Sequence, residues 1–224
     1  MTSCQDLAMA RKMADPEFRT QQEQNKTDPH MKRINEFVAS LQDKDAGKWL
    51  PEVAPMHGGV DARVLSVLRD PGPATKKGKG PGFLCVENDD PTAERQANLF
   101  TKYGIDPRDV LPWNAYPWYI HESAKAPNAA QLEDGADVLC RLIGLLPDLR
   151  VVLLQGRHAE NVWKRVLKRR PNIETELSLT VVGCIHPSPQ ALWAKPPVPE
   201  QRLAKQQKAY EATAAALKDK ASPK

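Results

Sequence analysis

Residues 151–154, Val-Val-Leu-Leu, form an unbroken apolar run with no polar face. A strand of this kind has to be covered on both sides, the condition met in parallel sheets flanked by helices. Three other runs have strand character: 63–68 around Val64-Leu65-Ser66-Val67-Leu68, 110–113 (Val110-Leu111-Pro112-Trp113), and 178–185 ending in Val181-Val182-Gly183-Cys184-Ile185. Between them lie stretches with helical apolar spacing. Ile34, Phe37, Val38 and Leu41 mark one over 31–41, and Leu132, Ala136, Leu139, Ile143 and Leu146 mark another over 130–146. Asp90-Pro91 opens a further helix that Gly104 closes near Tyr103, one follows Gly156 as far as Lys168, and a last one covers 199–217. Strands separated by helices predict an α/β fold: a three-layer α/β/α sandwich around a mostly parallel four-stranded sheet.

The 224 residues suffice for one domain with a sizeable core, placed at 29–218. Segments 1–28 and 219–224 are polar, lack a sustained apolar face, and are expected to be flexible, in keeping with a mean hydropathy of −0.56. No apolar run approaches the roughly 20 residues that span a bilayer. Met1 to Asp6 lacks the basic-then-apolar character of a secretory signal, so a soluble, cytoplasmic protein is expected. A net charge of +4 admits a polyanionic partner without requiring one. Cys4, Cys85, Cys140 and Cys184 form no Cys-x-x-Cys pair, which argues against structural zinc and iron–sulfur clusters. Cys140 and Cys184 read as small core residues.

The strand ends carry the chemistry. The strand at 178–185 runs into His186-Pro187-Ser188-Pro189, and the strand at 63–68 ends in Arg69-Asp70-Pro71-Gly72-Pro73. Proline fixes its own φ and restrains its predecessor, so an acid and a histidine are each held stiffly where a strand stops. Two such loops point to one site at the carboxyl edge of the sheet. Each has a plainer reading alone: Asp-Pro-Gly is ordinary turn chemistry, and an isolated loop histidine is more often structural. Asn114 can be a simple strand-end cap. Their common placement favours function, and Trp113-Asn114 and Gly156-Arg157-His158 mark the two remaining strand ends.

The order of these four loops over residues 60–195 resembles the uracil-DNA glycosylase superfamily, which has an acid- or Asn-bearing Asp/Asn-Pro motif, an Asn, a Gly-x-x-Ala turn and His-Pro-Ser-Pro after successive strands. The resemblance implies hydrolysis of the N-glycosidic bond of uracil, or a related damaged pyrimidine, in single-stranded or mismatched DNA during base-excision repair, without metal or cofactor. Asp70 then matches the water-activating aspartate, His186 the histidine beside O2, and Asn114 the asparagine that reads the base edge. A carboxylate stabilises an oxocarbenium-like sugar and orients water. A histidine donating to O2 stabilises the leaving anion, and an amide both donates to and accepts from one base edge. Pro71 and Gly72 would border the base, and Phe83 would stack on it. Gly156 and Arg157 at a helix N-terminus, Ser188, Gln190, and Lys76, Lys77 and Lys79 on the long 74–90 connection would meet the DNA backbone.

The chain combines features of two branches. Asp70 resembles the branch whose motif is Gly-Gln-Asp-Pro-Tyr, whereas Gly72 resembles the Asn-Pro-Gly branch and leaves thymine exclusion unassigned. Gln190 stands where a leucine wedge often follows His-Pro-Ser-Pro, so Leu192 or Trp193 is the wedge candidate. His121 and His158 read as surface or supporting residues, and Trp113, Tyr116, Trp118 and Tyr119 as core. Lys164, Arg165, Lys168, Arg169 and Arg170 form a basic stripe that reads equally as a solvated face or a DNA contact. Two rival functions stay open: a catalytically silent DNA- or nucleotide-binding module, and a hydrolase of free nucleosides.

Overall fold

A computed structural model describes residues 10–120, 126–193 and 195–218. A four-stranded parallel sheet lies at its centre, made of β2 (Val64–Leu68), β4 (Val110–Asn114), β5 (Val151–Gln155) and β6 (Thr180–Cys184) in the order β4-β2-β5-β6. β1 (Glu52–Val53) and β3 (Phe83–Leu84) form a separate parallel pair. The helices are α1 (Pro16–Asn25), α2 (Pro29–Leu41), α3 (Pro91–Tyr103), α4 (Ala129–Ile143), α5 (Arg157–Arg169), α6 (Ile173–Glu176) and α7 (Val198–Lys218).

Alternation along each strand divides its side chains between two apolar layers. Val152 and Leu154 of β5 join Leu65, Val67, Leu111 and Trp113 in a layer closed by α2, α4 and α5. Val151 and Leu153 join Val64, Val110 and Cys184 under α3 and α7, with the Phe100 and Tyr210 rings tilted against each other at 5.9 Å. The Val-Val-Leu-Leu run is thus buried on both faces, each side chain worth roughly 1.5–3 kcal/mol. This is the three-layer α/β/α arrangement that the periodicity predicts. Tyr116 and Trp118, 5.1 Å apart, lie in the first layer with Trp113. Cys184 is buried and Cys140 half-buried.

The expectation of a flexible 1–28 segment is corrected where it is described. Asp15 caps α1 by accepting from Glu17 N at 3.0 Å, with Pro16 at the first helical position. The helix has no apolar stripe; Phe18 alone packs against the small core of Met13, Ala54, Phe83 and Cys85, and polar contacts supply the rest of its attachment. Gln22 Oε1 accepts from Met56 N at 2.9 Å, and Lys26 pairs with Glu52 at 3.3 Å. Met13, just before it, is buried beside Phe83. Segments 1–9 and 219–224 lie outside the described residues, as does His121.

The sheet order fixes where a site can form. From β2 the chain passes through α3 to β4 on one side, then returns across β2 to β5 and on to β6. The connections therefore diverge between β2 and β5, leaving a crevice at their carboxyl ends, the usual ligand position in open α/β sheets.

Candidate active site

Loops from all four strands converge on that crevice and enclose a cavity of about 790 Å³. At the end of β2, Ala115 N donates to Leu68 O at 2.8 Å and Tyr116 N to Arg69 O at 3.0 Å, extending the β2–β4 ladder through the turn. The Asp70 side chain is only 1% exposed and is ion-paired with the Arg69 guanidinium, whose second contact, Nη2 to Oδ2, is 3.5 Å. Thr75 Oγ1 donates to Gly72 O at 2.6 Å and closes the loop. Gly72 has an ordinary φ of −76°, and a Cβ there would meet nothing within 4 Å.

Asn114 ends β4 and is buried, and its Nδ2 has no hydrogen-bond partner among the described residues. β5 ends in Gln155, followed by Gly156 with φ +95°. A Cβ on Gly156 would sit 3.2 Å from His186 Cβ, so glycine lets the β6 loop lie against the start of α5. No side chain caps α5, so its first N–H groups stay available to an anion. After β6, Ser188 N donates to His186 Nδ1 at 3.1 Å. This bond makes Nδ1 the acceptor and leaves the proton of the neutral ring on Nε2. Burial first, then the nearby Arg69 and His158, push the His186 pKa down to about 4, so the imidazole is neutral at physiological pH. Arg202 of α7 donates to Ala191 O at 2.7 Å and braces the loop.

Beneath the cavity runs a buried polar chain. Gln96 Nε2 and Gln155 Nε2 both donate to Ser66 Oγ at 2.8 Å, and Tyr210 Oη donates to Gln155 Oε1 at 3.0 Å. Each of these amides is fixed in one orientation by its partners.

Of the residues singled out in the sequence, Asp70, Pro71, Gly72, Asn114, Gly156, Arg157, His186, Ser188 and Gln190 border the cavity. Phe83 does not, and the expectation that it stacks on a ligand is corrected. It is 2% exposed and packed against Met13, Ala54 and Cys85, because β3 pairs with β1 and turns the ring away into that small core. Lys76, Lys77 and Lys79 also lie off the cavity. Lys76 Nζ sits 4.9 Å over the Tyr119 ring, while Lys77 and Lys79 are exposed on the loop whose Ala74 and Thr75 form part of the rim. In the basic stripe, Arg165 and Arg169 pair with Glu133 at 2.8 and 2.7 Å, and Arg170 pairs with Glu176 at 3.1 Å. Asp90 caps α3, accepting from Thr92 N and Ala93 N. Trp193 is 73% exposed just past the His-Pro-Ser-Pro turn.

Sequence reasoning missed His158, Asn88, Gln96 and Gln155, all of which border the cavity. His158, read from the sequence as a surface or supporting residue, stands in the first turn of α5, close enough to Arg69 and Asp70 to feel both charges. Burial, Arg69 and Arg157 hold its pKa below the ordinary value. Its position two residues beyond Gly156 at a strand end was the available signal. No family model matches this chain, and neither does any curated protein.

Proposed function

We propose that the protein is a DNA glycosylase that hydrolyses the N-glycosidic bond of uracil, or a related damaged pyrimidine, acting as a monomer on single-stranded or mismatched DNA. One observation carries the reading: a neutral histidine with its Nε2 proton free borders the same cavity as a buried carboxylate and an unpartnered amide donor. As the C1′–N1 bond breaks, its electron pair passes to the base. The Nε2–H of His186 donates to O2 and stabilises that anion without a full proton transfer. Asn114 Nδ2 donates to the other carbonyl, O4. Asp70 orients a water toward C1′, offsets positive charge on the sugar and accepts the water's proton as the new C–O bond forms, and the base leaves as the anion.

Reaching the cavity requires the nucleotide to leave the stack, at a cost of a few kcal/mol that is least for mismatched or single-stranded DNA. The uncapped start of α5, Arg157 and Ser188 border the cavity and would meet the flanking phosphate. The Arg69–Asp70 pair favours a second reading, a binding module whose carboxylate stays neutralised. End-labelled single-stranded and U·G duplex oligonucleotides decide between them. Alkali-labile cleavage at uracil that is lost in Asp70→Asn and His186→Ala, with DNA affinity retained, supports the glycosylase. Salt-dependent binding with no cleavage supports the module.

A further inference from the structure

Arg69 is ion-paired with its neighbour in the chain, Asp70, and both border the cavity. The two side chains differ in exposure, 41% for Arg69 against 1% for Asp70, so the guanidinium is the outer partner. Its hold on the carboxylate is one-sided. Nε engages Oδ1, whereas Nη2 stands 3.5 Å from Oδ2, at the limit of a hydrogen bond, and Nη1 has no acceptor among the described residues. A guanidinium carries five N–H donors in a planar fork, so most of this one is open to a second anion. The lining offers none, since its other described carboxylate, Asp90, is spent capping α3.

The pair conflicts with the chemistry proposed above, on which this inference rests. Asp70 has to face a water and offset positive charge growing on the sugar. A guanidinium on the carboxylate occupies an accepting oxygen, cancels its field and sets a second cation beside the oxocarbenium. Yet a carboxylate this deeply buried would be costly to leave bare in the empty site, and the pair prevents that. A phosphodiester meets both demands, because it fits the same fork and replaces one anion by another. Arg69 is close enough to the first turn of α5, where a flanking phosphate would arrive, to disfavour protonation of His158. That the cavity takes a ligand is indicated separately by Asn114 Nδ2, buried without a partner. We propose that Arg69 is a positioning residue acting as a latch: it holds Asp70 in an idle ion pair until a backbone phosphate of the bound strand draws the guanidinium away. The carboxylate is then free to position water, so the substrate's own backbone switches the site on.

The test is single-turnover uracil release at saturating protein from two single strands, one with ordinary linkages and one with uncharged methylphosphonates flanking the uridine. Saturation separates the chemical step from affinity. Wild type is expected to lose at least about tenfold in rate on the uncharged strand. Arg69→Gln, with no charge to hold Asp70, should differ by less than about twofold between the strands and outrun wild type on the uncharged one. Arg69→Lys restores a cation and with it most of the dependence on charged linkages. An Arg69→Gln protein that fails to outrun wild type on the uncharged strand overturns the latch. The wild-type protein gives a second measurement that does not depend on that variant. Its Arg69 Nε–H signal in NMR, identified by its loss in Arg69→Lys, should shift when a uracil-free strand with ordinary linkages is added, and a signal that stays in place overturns the proposal. Uracil release by wild type at equal rates from both strands sinks the latch alone. No release from the ordinary strand sinks the glycosylase reading, and the latch with it.

Discussion

Two glycines on the same cavity should respond to alanine in opposite ways. Gly156 has φ +95° and ψ 169°, a region open to essentially no other residue, and forcing alanine into it costs about 1–3 kcal/mol. The added Cβ would also stand 3.2 Å from His186 Cβ, so the β6 loop has to retreat by a few tenths of an ångström. For a chain of this size each kcal/mol lowers Tm by about 2–4 °C. Gly156→Ala is therefore expected to melt roughly 2–12 °C below wild type. Gly72 has φ −76° and open space around its Cβ position, so Gly72→Ala should leave Tm unchanged or raise it slightly by reducing the freedom of the unfolded chain. Thermal unfolding followed by circular dichroism on the three proteins side by side makes the comparison. A Gly156→Ala protein that melts with wild type, or a Gly72→Ala protein that loses as much, would refute the backbone argument.

The His186 ring should titrate near pH 4 by NMR, and Arg69→Ala should move that midpoint upward by removing a cation that disfavours protonation. The folded ring resists a proton that the unfolded ring takes up near 6.5, so this residue's contribution to stability is complete above that pH and is lost as pH falls toward 4. Protonation would also set an N–H on Nδ1 against Ser188 N–H, so the proposed uracil release should fall over the same acid range. Ser66→Ala leaves the Gln96 and Gln155 amides without their acceptor, and urea unfolding should register a loss of about 1–3 kcal/mol for each buried donor. Asp15→Ala removes the α1 cap, and the same measurement should show a loss of about 0.5–2 kcal/mol.

The sheet was legible because its residues obey one period. The apolar positions of β2, β4 and β5 had to be buried on both faces, and the strand ends were marked by proline, glycine and asparagine. Asp70, Asn114 and His186 were found for the same reason, since each directly follows a strand core. What escaped was held by polar contacts that leave no periodic trace. α1 docks through Gln22 and Lys26 with a single apolar anchor, Phe18, and the cavity floor depends on Ser66 meeting two glutamines that lie 30 and 89 residues further along the chain. Phe83 misled because an aromatic after the first motif looks alike whether it faces a ligand or a core. Only the β1–β3 pairing, between segments about thirty residues apart, decides which.

α7 is the last element described, yet it completes the middle of the site. Tyr210 orients Gln155, Gln206 accepts from Arg95 of α3 at 2.8 Å, and Arg202 braces the loop after His186. During synthesis all four strand-end loops therefore leave the ribosome before the helix that locks them in place. A nascent chain carrying every residue of the proposed chemistry would still have an open floor and an unbraced histidine. The proposed site would become competent only once α7 has been made and docked against it.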